Sequence, residues 1–215
     1  PFNDVSLRKA VQAVATQRDY LDVIVGDPGA YQICGALFGC GTPLDTEAGF
    51  VDTGTPDFEL ARQLVEESDY NGEKVVIITP GDIASFSALA PMTQQLLSAI
   101  GIDSEIQTME WSAFLSRRAN SGPVADGGWN LAHAVFDGID LISPLGNMNF
   151  DARGTAGYTG FVDDAETEEL KTRYQREADP AKKKAIAEEM QARAYDQVFY
   201  IPLGTYRHYV ALRPE

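Results

Sequence analysis

The sequence predicts an α/β domain with a mixed central sheet and helices on both of its faces. Three observations carry this expectation. Amphipathic stretches of helical period alternate with short apolar or alternating stretches along most of the chain. One of these, KVVIIT at 74–79, is apolar nearly throughout and bounded by turn residues, the pattern of a strand covered on both faces. The 215 residues, 44% of them hydrophobic, are enough to bury a full core.

Element by element, PFNDVSLRKAVQAVA opens with Asn3 or Asp4 as helix N-cap. Val5, Leu7, Ala10, Val11, Val14 and Ala15 form the apolar face of a helix over 5–15. A second short helix spans 18–25. Residues 26–55 are rich in Gly and Pro and make a loop long enough for a compact domain to suggest a function, or else a wrap around a further lobe. Thr55-Pro56-Asp57 starts a helix to Tyr70 with Phe58, Leu60, Ala61, Leu64 and Val65 inward, and Asn71-Gly72 ends it. After the 74–79 strand, one long helix is predicted over 85–100, with Gly101 as its C-terminal stop. A strand over 102–109, a helix over 110–119 and a strand over 129–136 follow. Residues 137–160 are turn-rich, helices are predicted over 164–177 and 180–197, and 198–203 and 206–212 read as strands. Strand, helix, strand, helix, strand is the order of a sheet with covered faces.

Composition excludes several classes. The net charge is −15, which disfavours nucleic acid and anionic lipid alike. No apolar run approaches the ~18 residues that span a bilayer. There is no GxSxG, Walker A, GxGxxG after a strand, or HExxH. Paired acids such as Asp163-Asp164 and Glu168-Glu169 stand where they complement a helix dipole, so no catalytic residue is marked and no enzyme is expected. The Lys182-Lys183-Lys184 run, followed by Glu188-Glu189, reads as a solvated helix face. Cys34 and Cys40 in YQICGALFGCG are too far apart for CxxC chemistry and lack the partners of a zinc site; they form either a disulfide in an oxidising compartment or two buried thiols. No metal site and no cofactor is expected. The only two histidines, His133 and His208, would share a metal or a metal chelate only if their segments met.

Gly127-Gly128-Trp129-Asn130 is the sharpest local signal for binding. Paired glycines let a backbone approach closely, and Trp129 offers a flat apolar face with one donor; the alternative is a core Trp at a strand start. Tyr206, beyond Phe199-Tyr200-Ile201-Pro202-Leu203, is either an aromatic wall with a hydroxyl or a half-buried strand residue. Tyr31 lies in the long loop.

Five segments in order resemble family 5 of the bacterial extracellular solute-binding proteins, the peptide, nickel and oligosaccharide receptors of ABC importers. They are the opening PFNDVSLRKAVQAVATQRD, in which Arg8, Ala10 and Arg18 fit and Ser6-Leu7 departs mildly; PDFELARQLVEESDYNG; SALAPMTQQLLSAIGIDSEIQTMEWSAFLSR; the GW pair; and the helix over 180–197 running into IPL. Arg117-Arg118 resembles a peptide- or nickel-receptor subgroup. The resemblance implies one lobe of a type II periplasmic binding protein, the C-terminal one, with residues 1–215 a single lobe of a longer two-lobed chain cut at both ends. It implies a monomeric periplasmic receptor that closes on a small solute, peptide-like or a metal chelate, and delivers it to the transmembrane permease subunits. Trp129, Asn130, His133, Asp137, Tyr206 and Tyr31 are the candidate ligand-binding residues. In peptide-binding members an acid soon after the Trp pairs with the peptide amino group. Here Asn130, Leu131, Ala132 and His133 stand in that place, and the first acids are Asp137 and Asp140. The alternatives are an α/β enzyme with an unmarked site and a sensory or scaffold module on the same fold.

Overall fold

The computed structural model describes residues 1–52 and 54–207. Helices α1 (Val5–Val14) and α2 (Gln17–Ile24) come first, capped by Asp4 and Thr16 through their side-chain oxygens. Strand β1 (Tyr31–Gln32), helix α3 (Phe58–Glu67), strand β2 (Val75–Pro80), helices α4 (Ala84–Ser87) and α5 (Leu89–Ala99), strand β3 (Ser104–Met109) and helix α6 (Trp111–Arg118) follow. Strand β4 (Leu131–Ala132), helix α7 (Gly138–Leu141), helices α8 (Ala165–Arg176) and α9 (Pro180–Asp196) and strand β5 (Thr205–Tyr206) complete the described elements.

The larger sheet has the order β3-β2-β4 and is parallel, with Val75 opposite Ser104 and Ile77 opposite Leu131. Among the described residues antiparallel pairing occurs apart from this sheet, in a ribbon in which β1 meets β5, Tyr31 opposite Tyr206, and in a single bridge between Arg153 and Asp163. Strand β2 is central and every residue in it is buried. Its alternation assigns the layers. Val75 and Ile77 pack with Leu7, Val11 and Val14 of α1, Ala61 of α3 and Leu97 of α5. Val76 and Ile78 face Phe114 of α6, together with Trp111 and Trp129. Helices therefore cover both faces, as the uninterrupted apolar run requires.

A second core lies away from the sheet, where Leu37 and Phe38 of the long loop pack on Phe150, Leu170, Ile186, Met190 and Tyr195. The loop thus wraps the α8–α9 pair of this same chain. Two fully buried glutamines hold it. Gln191 donates from Nε2 to the carbonyls of Thr46 and Ala48 and accepts from the Leu37 amide at Oε1. Gln17 donates to the Cys34 carbonyl and accepts from the Cys34 amide. The Tyr195 hydroxyl donates to the Gly35 carbonyl. These bonds satisfy backbone groups that no strand pairs. A disulfide joins Cys34 to Cys40, with Cα atoms 5.9 Å apart; closing so short a loop is worth about 2 kcal/mol. Arg193 grips Asp164 through two bonds of 2.7 Å, tying α9 to the N-cap of α8.

Three expectations need correction. The helix predicted over 85–100 is broken at Ala88 into α4 and α5. The strand predicted over 129–136 is paired only at Leu131–Ala132, because from His133 the chain leaves the sheet. Residues 198–203 form no strand. Val198, at φ 48°, closes α9 with amide bonds from Val198 and Phe199 to Tyr195 and Ala194, and their apolar side chains serve packing without a ladder partner. Of the strand predicted over 206–212, Tyr206 is seen as the second residue of β5, which starts one position earlier at Thr205, and positions from His208 onward lie outside the described residues.

Candidate functional site

An open cleft of about 1610 Å³ runs along β4, whose Leu131 and Ala132 line it, and on past the carboxyl end of that strand to Gly138, with Ile83 and Ser85 from the segment after β2; the carboxyl end of a parallel sheet is where ligands bind in open α/β folds. Five of the six sequence-predicted residues line it: Trp129, Asn130, His133, Asp137 and Tyr206. Tyr31 does not line it. It pairs with Tyr206 across the ribbon and donates its hydroxyl to Asp22 Oδ1 at 2.6 Å, which raises its pKa.

Trp129 is half-buried. Its Nε1 donates to the Arg118 carbonyl at 3.1 Å, and its ring packs 6.2 Å from that of Phe161. The close approach that Gly128 permits is to the chain itself, since a Cβ there would stand 1.9 Å from the Gly122 carbonyl oxygen. Asn130 is occupied in the fold: its Oδ1 accepts from the Val76 amide at 2.8 Å while its own amide donates to the Val76 carbonyl. Asp137 is exposed just before α7, with no side-chain cap bond.

His133 is buried beneath the cleft wall. Its Nε2 lies 2.9 Å from Thr93 Oγ1, which lies 2.6 Å from the Tyr20 hydroxyl. Burial pushes the imidazole pKa down to about 4 and the Tyr20 phenol up to about 12. The ring is therefore neutral near pH 7, and its Nδ1 has no hydrogen-bond partner. Among the described residues no cluster of three or more His, Cys, Asp or Glu is placed to hold a metal ion; His208 lies outside the described residues.

Sequence reasoning missed the rest of the wall. Phe161, Tyr158 and Arg118 line the cleft, and Arg118 lies over the rings of both Phe114 and Tyr158. Phe161 has a left-handed backbone, φ 55°, which is costly for an aromatic residue. The Arg117-Arg118 pair is visible in the sequence, but which arginine reaches the cleft depends on where α6 docks. Arg117 instead donates to the carbonyls of Gly127 and Gly128.

Residues 1–142 match the model of the bacterial extracellular solute-binding proteins, family 5, middle region. The chain belongs to this family. A probable peptide ABC transporter periplasmic-binding protein of Sinorhizobium fredii is 28% identical over 206 residues, which cover 95% of this chain and 39% of that protein. The ABC transporter substrate-binding protein CtaP of Listeria monocytogenes superposes with a TM-score of 0.80 at 17% identity, over 94% of this chain and 40% of that one. The periplasmic binding protein DppA of Helicobacter pylori, in complex with the peptide STSA, gives 0.76 at 22% identity, over 94% and 38%. The fold is that of a type II periplasmic binding protein lobe. This family 5 chain spans about two fifths of the length of the relatives it matches. No helix among its described residues is long and apolar enough to cross a membrane.

Proposed function

We propose that the chain is the C-terminal lobe of a two-lobed periplasmic receptor that captures a peptide or peptide-like solute and hands it to an ABC permease. The observation that carries this reading is the cleft: an apolar and aromatic wall with a few fixed polar groups, open on one side, along β4 and past its carboxyl end in a family 5 fold. An open wall is half a site; a second lobe closing by a hinge supplies the other half and excludes water. The receptor works as a monomer and performs no chemistry of its own, and energy for transport comes from the ATPase of the permease. An acid to hold a peptide amino group is available at Asp137, which lies in the wall and has no capping duty.

Thermal unfolding of the two-lobed protein against peptides, opines, glutathione, sugars and nickel chelates tests this. A bound solute at 100 times its dissociation constant raises stability by about 2.7 kcal/mol. A shift with short peptides supports the reading, and a shift with nickel chelates alone reassigns the solute. A well-folded protein with no shift across the panel overturns it.

A further inference from the structure

One stretch of the surface departs from what a chain of net charge −15 needs for solubility. Val135, Ile139, Ile142, Leu145 and Met148 are all exposed within residues 135–148. Ile139, on α7, is 72% exposed. Elsewhere among the described residues, exposed large hydrophobics such as Val23, Leu60 and Leu115 come one to a helix, which is ordinary. A concentration of them marks a contact surface.

The backbone that presents this stretch is anchored from below. Pro144 and Phe150 are buried. The buried Asn147 donates from Nδ2 to the carbonyls of Leu37 and Leu141, and the amides of Gly146 and Asn147 both bond the Ser143 carbonyl. The outward apolar side chains are therefore held in place by the fold. Val135 and Met148 line the cleft, while Ile139, Ile142 and Leu145 do not. The apolar surface thus begins in the cleft wall and continues over its rim.

Position and charge select what covers it. The rim stands at the open side of the cleft, and the chain spans about two fifths of the length of its relatives, so a large further part of the receptor is available to close there. Asp137 and Asp140 border the apolar residues, and no Lys or Arg stands between Arg118 and Arg153. Two copies meeting through this face would bring like carboxylates together with no cation from the stretch to offset them. An anionic bilayer is disfavoured for the same reason.

We propose that the rim formed by Val135, Ile139, Ile142, Leu145 and Met148 is the seat of the second lobe in the closed receptor, an apolar latch whose counterpart carries a basic margin facing Asp137 and Asp140. This assignment rests on the two-lobed receptor reading, but on no particular solute. The latch forms only when the lobes meet, so it favours the closed state. The closed fraction multiplies the apparent affinity of every solute alike.

The test uses the two-lobed protein with p-benzoylphenylalanine at position 139, and at position 60 on α3 as a control outside the cleft. On illumination, position 139 should join to residues of the second lobe in the same chain, mapped by mass spectrometry, and position 60 should not. Trialanine and glutathione, added separately, should raise the yield wherever they bind. Ile139 is exposed and outside the cleft wall, so Ile139→Ser disturbs neither the core nor a solute contact. It should weaken each bound probe by the same factor, on the order of 10-fold, and Ile139→Leu should not.

Cross-links confined to this lobe, cross-links to a second copy seen as a dimer mass, or equal capture from position 60 overturn the proposal. So does an Ile139→Ser variant that binds a probe as tightly as the parent. If position 139 joins to the second lobe while neither probe binds, the lobe contact stands and the peptide-type solute falls.

Discussion

His133 shows how one residue of the cleft couples the site to stability. Its ring is buried, tied through Thr93 to Tyr20, and neutral down to about pH 4. An unfolded histidine takes up its proton near pH 6.5. The folded state therefore loses ground as pH falls through the window from 6.5 to 4, by about 3 kcal/mol at the lower end, and regains it above 6.5. Urea unfolding across that window should show the loss, and His133→Gln, which can still meet Thr93, should flatten it. An unchanged profile in the variant would place the acid sensitivity elsewhere. Asn130 teaches a different lesson at the same scale. Its position after Trp129 marks it in the sequence as a ligand group, yet its Oδ1 holds the Val76 amide of the central strand. Asn130 lines the cleft, but residue type and spacing do not reveal that a neighbouring strand has already claimed its acceptor.

Helices with a capping acid and a clean apolar face were legible in the sequence because their signals are local. Asp4, Asp57, Asp164 and Asp179 each accept amide bonds at the helix starts that the pattern marks. The buried β2 strand was legible for the same reason. What local pattern could not give was pairing. Residues 198–203 have strand composition but no ladder partner, and the short β1–β5 ribbon joins positions 175 residues apart. The loop over 26–55 was read as functional or as a wrap for another lobe; it is held by Gln17 of the adjoining α2 and by Gln191 and Tyr195 of α9, far away in sequence. Gln191→Leu keeps the volume but strands the Leu37 amide and the Thr46 and Ala48 carbonyls. It should cost about 3 kcal/mol in urea unfolding. A loss under about 1 kcal/mol would mean that the loop finds other partners.

Across the whole molecule, two cores divide the labour. The cluster around Val75 and Ile77 builds the sheet domain and so fixes β2 and β4, and the cleft runs along β4. The cluster around Phe150 and Met190 anchors the long loop and the α8–α9 pair. Arg8 bridges the two regions, donating from Nε and one terminal nitrogen to the Gln197 carbonyl at the end of α9. The cleft wall draws on both regions, with Trp129 and His133 from the first and Phe199 near the second. Its geometry therefore depends on the docking of the two cores as well as on either alone.

Gln191 and Tyr195 also set an order of events in time. Gln191 meets Leu37 across 154 positions and Tyr195 meets Gly35 across 160, whereas β2 and β3 lie close together in the chain. Closing such long intervals is slow compared with forming neighbouring β–α–β pairs. During refolding from urea, pulse-labelled hydrogen exchange should find the amides of β2 and β3 protected first and those of Leu37 and its loop last. Simultaneous protection would argue against this order. While the loop waits, the apolar face of α9 and the amides it will later satisfy stay open to water, so a newly made chain passes through an interval in which half of its interior is still a surface.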